Sequence, residues 1–324
     1  MKKTNEDFFF NQVKIEITHR CNVSCCFCYL KNRKTRSKEM TYEVFSAVVR
    51  RLRSLGIGNV RLSGGEPLTH KNLDQMLSLL FKNKFRIRLI TNGDLLTQEF
   101  LDKYTKKIYS YHISFHTLES KKLRIIHMMD DSGETYCLNT VINPTSISKI
   151  DDYFKHIKDL KCLAQWALLR EFPTSQKGED YKKIYSRSFI KKIQRFNEIT
   201  GARVAFVNPV PLCVSSPELV EQITEYRCPL LKNTHLTDFT IDCEGTILPC
   251  PLLDLKAGNI LDSRADIMKI ISEIKNKARF SIPEECRICD KFNKCLSGCR
   301  AASFIKYGVM DQMDPISDPL NALS

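Results

Sequence analysis

Val13-Lys14-Ile15-Glu16-Ile17-Thr18-His19-Arg20-Cys21-Asn22-Val23-Ser24-Cys25-Cys26-Phe27-Cys28 governs how the rest of this 324-residue chain is read. Its first five residues alternate apolar and polar, the pattern of a β-strand. Cys21, Cys25 and Cys28 then stand at C-x3-C-x2-C spacing in one short loop. Three thiolates placed so closely can wrap three irons of a cubane cluster. The fourth iron is left without a protein ligand. An open coordination position marks a catalytic metal centre rather than a pure electron carrier, by analogy with open zinc sites. Cys26 breaks the spacing and reads as a bystander.

Downstream, strands and helices alternate as far as about residue 208. Thr41 caps a predicted helix to Leu55, with Phe45, Val48, Val49 and Leu52 on one face. Further strands are predicted over Asn59–Leu62, Arg86–Ile90, Tyr111–Phe115, Tyr136–Ile142 and Trp166–Leu169. Helices are predicted over Asn72–Phe81, Thr97–Tyr104, Leu118–His127, Ile150–Leu160 and Ile184–Ile199. Such alternation implies parallel pairing and an α/β fold. Six units suit a partial TIM-like (β/α)6 barrel, with its site at the carboxyl ends of the strands. After Asn208-Pro209-Val210-Pro211 the alternation stops and cysteines multiply. A hairpin is expected there over Asp238–Asp242 and Thr246–Leu248, turning at Cys243-Glu244-Gly245. The expected organisation is an extension over 1–12, the barrel over 13–208 and a cysteine-rich domain over 209–324.

The cysteine loop, its place after the first strand, and Ser63-Gly64-Gly65-Glu66-Pro67 together resemble the radical S-adenosylmethionine (radical SAM) superfamily. The resemblance covers residues 13 to about 208. It implies that Cys21, Cys25 and Cys28 hold a [4Fe–4S] cluster whose open iron is chelated by the methionyl amino and carboxylate groups of S-adenosylmethionine. One electron then cleaves the sulfonium, giving methionine and a 5′-deoxyadenosyl radical that abstracts a substrate hydrogen. By resemblance, Gly64, Gly65 and Glu66 contact the methionyl amino group and Phe27 lies beside the adenine. Thr91-Asn92-Gly93 matches a turn near the cofactor, and Ser114 matches a residue touching ribose or carboxylate. His116 stands where the family often has Asp. Glycine at 64 and 65 would let backbone approach a ligand closely.

The second cysteine group is Cys286-x2-Cys289-x5-Cys295-x3-Cys299, preceded by Cys228-Pro229 and Gly245-x4-Cys250-Pro251. Proline after cysteine rigidifies a cluster loop and removes a competing donor, although paired cysteines this close also suit a zinc ribbon. These residues resemble the SPASM auxiliary-cluster extension, over roughly 209–317. The resemblance assigns Cys228, Cys250 and Cys299 to a first auxiliary iron–sulfur cluster, with Cys213 a candidate fourth ligand. It assigns Cys286, Cys289 and Cys295 to a second. The family's last ligand lies in an Asp-Pro-x-Cys segment, but this chain reads Asp314-Pro315-Ile316-Ser317. The second cluster therefore has an open site, takes serine or aspartate, or is lost. Cys243 is left out as a non-ligand; Cys137, Cys162 and Cys213 are isolated, and each by itself reads as a buried small side chain.

Composition agrees with an iron–sulfur protein in a reducing compartment. Hydrophobic residues make up 43% and charged residues 27%, which excludes a disordered chain. No apolar run is long enough to span a bilayer, and the N-terminus is too short and polar for a secretory signal. The cytoplasm is expected, where 14 cysteines point to metal rather than disulfides. A net charge of +13 favours anionic partners. The run Lys31, Arg33, Lys34, Arg36 and Lys38 reads as a solvated loop, and without aromatic interleaving no nucleic-acid surface is expected. Two readings of the reaction stay open. One is a maturase that oxidises or crosslinks residues of a ribosomally made peptide, aided by a separate recognition protein because only about a dozen residues precede the first strand. The other is a dehydrogenase, decarboxylase or epimerase of a sugar, nucleoside or other metabolite. Both need an external one-electron donor such as a flavodoxin or ferredoxin. A ferredoxin-like carrier or zinc module is the non-catalytic alternative, and a carrier has no use for a vacant iron. Glu171, His116 and Tyr136 are candidates for proton transfer near the barrel mouth.

Overall fold

The alternation at residues 13–17 becomes the first strand of a computed structural model that describes residues 12–32, 38–172, 185–214, 220, 230–231 and 239–317. Nine strands follow in chain order among the described residues: β1 Gln12–Thr18, β2 Asn59–Gly64, β3 Arg86–Thr91, β4 Ser110–Ser114, β5 Tyr136–Ile142, β6 Leu163–Arg170, β7 Arg203–Phe206, β8 Thr240–Ile241 and β9 Ile247–Leu248. The chain divides into two compact units, Met1–His112 with Asn233–Asn276, and Ile113–Lys232 with Lys277–Ser324. β4 carries the chain from the first unit into the second, and after a return to the first the helix Arg264–Phe280 again carries it into the second.

In the first unit β1 is central. It pairs parallel with β2, and β2 pairs parallel with β3. On its other edge β1 pairs parallel with β8, which turns back antiparallel into β9. The expected hairpin therefore forms, with Asp242 Oδ1 accepting from Glu244 N and Thr246 N and Gly245 at φ +84°. It is built onto the edge of the parallel sheet, a placement that local turn chemistry does not encode. Cys243 in that turn is buried, and its thiol donates to the carbonyls of Glu16 and Lys38. The helix Tyr42–Ser54 starts at Thr41, whose side chain accepts from Val44 N, and it buries Phe45, Val48, Val49 and Leu52. Each such side chain contributes on the order of 1.5–3 kcal/mol when fully buried.

In the second unit β5, β6 and β7 pair parallel in that order. β7 was not expected; Arg203-Val204-Ala205-Phe206 is too short for periodicity to register. Trp166 is fully buried and donates Nε1–H to Thr140 Oγ1 at 2.8 Å, and Thr140 in turn donates to the Phe115 carbonyl at 2.7 Å. Phe154 and Phe196 stack with centroids 3.8 Å apart. The predicted helices recur with shifted ends, as Ser120–Asp131, Ile150–Ile157 and Arg187–Ile199. Residues 33–37 of the basic run lie outside the described residues, as do Cys228 and Pro229. Among the described residues, no helix is long and apolar enough to cross a membrane.

Candidate functional site

Backbone hydrogen bonding fixes the cysteine loop to the end of β2. Gly65 N donates to Thr18 O at 2.6 Å and Glu66 N to Arg20 O at 2.8 Å, so the chain entering the loop is zipped to Gly64–Glu66. A Cβ on Gly64 would sit 2.1 Å from Thr18 O, and one on Gly65 would sit 2.1 Å from Arg20 O. Gly64 also holds φ +145°. The visible reason for the glycine pair is this approach of two protein backbones, where the sequence suggested an approach to a ligand. Gly65→Ala is accordingly expected to cost about 1–3 kcal/mol by overpacking and to lower iron uptake at the loop. Denaturant midpoints and iron content of the reconstituted variant check this.

Glu66 is fully buried and ties three segments together. Its Oε1 accepts from Leu68 N at 3.1 Å and from Thr91 Oγ1 at 2.7 Å, and its Oε2 accepts from Asn92 N at 2.6 Å. Thr91 Oγ1 accepts from Gly93 N, and Asn92 Oδ1 accepts from Asp94 N, which shapes the turn after β3. The Asn92 amide then reaches the cysteine loop, donating to Asn22 Oδ1 at 2.8 Å with Cys21 Sγ at 3.8 Å. Thus Cys21, Glu66, Thr91 and Asn92, widely separated in sequence, form one continuous lattice.

Partial burial pushes the Cys21 thiol above its ordinary pKa, and the charges of Glu66 and Cys28 add to the rise. Hydrogen bonds from Val23 and Asn92 work the other way. Thiols held protonated in this way release protons when a metal binds, so loading is coupled to proton loss. Cys21 and Cys26 are exposed, Cys25 and Cys28 are half-buried, and Phe27 between them is half-buried. A soft, all-sulfur donor set on one loop suits iron–sulfur chemistry. Among the described residues, no group of three or more His, Cys, Asp or Glu side chains is arranged to hold a metal ion. Thiolates that hold a cubane each bind a different iron from outside, so they stand farther apart than the ligands of one ion. In donor type and number, Cys21, Cys25 and Cys28 suit a three-cysteine cluster.

The loop is also held from beneath by residues that alternation alone placed on a solvent face. Glu16 of β1 is fully buried, and its Oε1 accepts from Tyr29 Oη at 2.8 Å and pairs with Lys14 Nζ at 2.9 Å. Tyr29 opens the 3-10 turn that follows Cys28, so this contact pins the loop's exit. The signal available was a carboxylate between apolar strand residues; its meaning depends on the parallel sheet being covered on both faces.

Other site candidates fall in the second unit. Ser114 closes β4 and is half-buried. His116 Nδ1 accepts from Val141 N at 3.2 Å, and burial, with Lys122 nearby, pushes its pKa down to about 4. Tyr136 begins β5, away from the strand's carboxyl end, donates to Asp130 at 3.1 Å, and is held protonated by burial and that carboxylate. Neither side chain is tuned for proton transfer near neutral pH. Glu171 directly follows the carboxyl end of β6 and is half-buried.

Of the auxiliary cysteines, Cys228 lies outside the described residues and Cys250 is buried in the first unit. Cys286 and Cys289 are half-buried and Cys295 and Cys299 buried, all in the second unit. Between Cys295 and Cys299 the backbone is left-handed at three successive residues, Leu296 (φ 54°), Ser297 (φ 57°) and Gly298 (φ 70°). Left-handed backbone costs a non-glycine residue about 1–2 kcal/mol and persists where the surroundings over-determine it. Here the fully buried Arg300 holds the loop, donating to Met310 O at 2.6 Å, Gln312 O at 3.0 Å and Ser297 O at 2.5 Å.

Comparison with known proteins agrees with this geometry. Residues 15–137 match the family model described as the Radical SAM superfamily. A PqqA peptide cyclase of Gluconobacter oxydans is 22% identical over 93% of this chain and 88% of its own length. Among solved structures, native anSMEcpe with bound AdoMet and the Kp18Cys peptide aligns with a TM-score of 0.75 and 17% identity, over 96% of this chain and 95% of the other. SuiB of Streptococcus suis bound to its precursor peptide SuiA aligns with a TM-score of 0.69 and 18% identity, over 95% and 76%. Residues 15–137 thus match the radical SAM family model, and the chain shares the fold of these solved structures.

Proposed function

We propose that this radical SAM protein reductively cleaves S-adenosylmethionine at a [4Fe–4S] cluster held by Cys21, Cys25 and Cys28, and thereby modifies a residue of a ribosomally made peptide by oxidation or crosslinking. The observation that carries the reading is the thiol loop at the end of β1, bound through Asn92 and Glu66 to the ends of β2 and β3. Bound there, the cluster and its cofactor supply reductive cleavage of the sulfonium and hydrogen abstraction from substrate. The chain's own part is positional. Cys21, Cys25 and Cys28 would hold the cluster and would leave one coordination position to the cofactor. In this reading Gly64, Gly65 and Glu66 would lie against its amino group, and Phe27, Thr91 and Asn92 would be its further contacts in the same unit. Peptide as the substrate class is supported by the relatives: a peptide cyclase, and two enzymes solved with peptide bound. The net charge of +13 suits an acidic peptide. Residues 209–324 would carry auxiliary iron–sulfur clusters, with an external one-electron donor and a separate peptide-recognition protein as partners.

The test is anaerobic reconstitution with iron and sulfide, addition of a strong reductant and S-adenosylmethionine, and chromatography for 5′-deoxyadenosine. Formation of 5′-deoxyadenosine with matching methionine is expected. Intact cofactor from protein that has taken up iron at the loop contradicts the reading.

A further inference from the structure

The second auxiliary set lacks the cysteine that its family supplies after the fourth cysteine of the run, and the structure points to where a substitute comes from. Pro211 and the short 3-10 turn Leu212–Val214 lie against the Cys295–Cys299 loop. Leu212 N donates to Cys295 Sγ at 3.3 Å in a buried contact, and a Cβ on Gly298 would come 3.1 Å from Pro211 Cδ. Cys213 directly follows Leu212 in that turn, so its backbone lies beside the Cys295 thiol, and its electrostatic coupling to Cys286 and Cys295 agrees with that placement. Cys289 acts on Cys286 in the same way, and Cys286 on Cys295. Cys213 is thus brought beside the Cys295 loop, although it stands more than seventy residues ahead of Cys286, Cys289 and Cys295.

The alternative donors are weaker or already engaged. Asp314 Oδ1 accepts from Arg170 Nη2 at 2.6 Å and Ile316 N at 3.2 Å, and Oδ2 from Arg170 Nη1 and Cys299 N, each at 2.7 Å. Ligating iron through it would break a buried ion pair. Ser317 offers a hydroxyl, and Met313, 3.4 Å from Cys286 Sγ, a neutral thioether; an iron–sulfur cluster is held by thiolates.

We propose that Cys213 is the fourth protein ligand of the second auxiliary cluster, completing Cys286, Cys289 and Cys295, so that this cluster has four cysteine ligands and no vacant iron. The proposal rests on the reading that the cysteine-rich part binds iron–sulfur clusters, and it assigns Cys213 away from the first auxiliary cluster, where the sequence pattern suggested it. It also gives that cluster an electron-transfer role, because a fully ligated cubane offers substrate no coordination position.

The experiment uses full-length chain carrying Cys21→Ser, Cys25→Ser, Cys28→Ser and Cys250→Ser, which removes the first site and disables the first auxiliary cluster. Cys213→Ala, Cys213→Ser, Ser317→Ala and Cys162→Ser are added singly, with circular dichroism to confirm folding. Iron and sulfide content, Mössbauer spectra, and EPR after mild oxidation are recorded. The parent and the Cys162→Ser and Ser317→Ala variants are expected to keep a stable four-iron cluster. Cys213→Ala is expected to lose about one iron per chain on oxidation and give the EPR signal of a three-iron cluster. Cys213→Ser is expected to keep four irons with one of them spectroscopically distinct. A Cys213→Ala spectrum identical to the parent's, or a parent without iron, overturns the assignment. Cleavage of S-adenosylmethionine by the unaltered chain is measured separately, so failure of this assignment is distinguishable from failure of the radical SAM reading.

Discussion

Cys25→Ser is expected to reduce 5′-deoxyadenosine formation to the level of protein-free controls, and Cys21→Ser and Cys28→Ser to do the same. Cys26→Ser is expected to leave the rate within about twofold, since an exposed side chain outside the ligand set is worth no more than about 0.5 kcal/mol. The contrast follows from the loop. Three of its four thiols match the cluster spacing, and Cys21 is tied through Asn92 to the lattice that Glu66 organises. Losing one thiolate of three removes the electron source rather than weakening a contact, so the three losses are not graded. Iron content measured beside the rate separates loss of the cluster from loss of fold, and Cys26→Ser supplies the folded reference. Were the four variants to fall together, or were Cys25→Ser to retain turnover, the ligand assignment would be wrong.

The second large effect is expected at Arg170 and Asp314. Both side chains are buried, at 1% and 0% exposure, in a two-bond pair, Nη2 to Oδ1 at 2.6 Å and Nη1 to Oδ2 at 2.7 Å. Burial works against the Arg170 charge, but Asp314 more than offsets it and holds the guanidinium pKa above its ordinary value. Removing one partner leaves the other charge buried without compensation, which costs about 3–5 kcal/mol. Arg170→Met is therefore expected to lower the unfolding free energy measured by urea denaturation by that amount. The double replacement Arg170→Met with Asp314→Leu is expected to recover most of the loss, because well-packed apolar residues often replace a buried pair without net cost. The two variants should nonetheless share a defect in auxiliary iron. Asp314 Oδ2 also accepts from Cys299 N and lies 2.6 Å from where a Gly298 Cβ would be, so it positions the loop between Cys295 and Cys299. A double variant that regains both stability and iron would show that the pair has no part in placing these cysteines.

Much of this was legible from local signals. The position of Cys21, Cys25 and Cys28 after a strand, the strand ends at Gly64–Glu66 and Thr91–Asn92, and the cap at Thr41 all arise from spacing, turn chemistry and periodicity over a few residues. What escaped depended on partners distant in sequence. Glu16 alternates like a surface residue, and only a sheet covered on both faces buries it. The glycines at 64 and 65 announce a close approach without saying what approaches; the answer, Thr18 and Arg20, lies about 45 residues earlier. Cys213 has no motif around it, so the contact of its neighbour Leu212 with Cys295 could only come from the fold. His116 and Tyr136 looked available for proton transfer by type, and their hydrogen bonds and burial set them aside. Local pattern identifies the donors of a site, while long-range packing decides which of them share a ligand.

The most direct measurement is electron–nuclear double resonance on the reduced, reconstituted protein mixed with S-adenosylmethionine carrying 15N in its methionyl amino group. A vacant iron above Cys21, Cys25 and Cys28 predicts a 15N hyperfine coupling large enough to require direct ligation, absent from the Cys25→Ser protein. A reduced cluster at that loop whose spectrum shows no coupling to the labelled amino group would contradict the account.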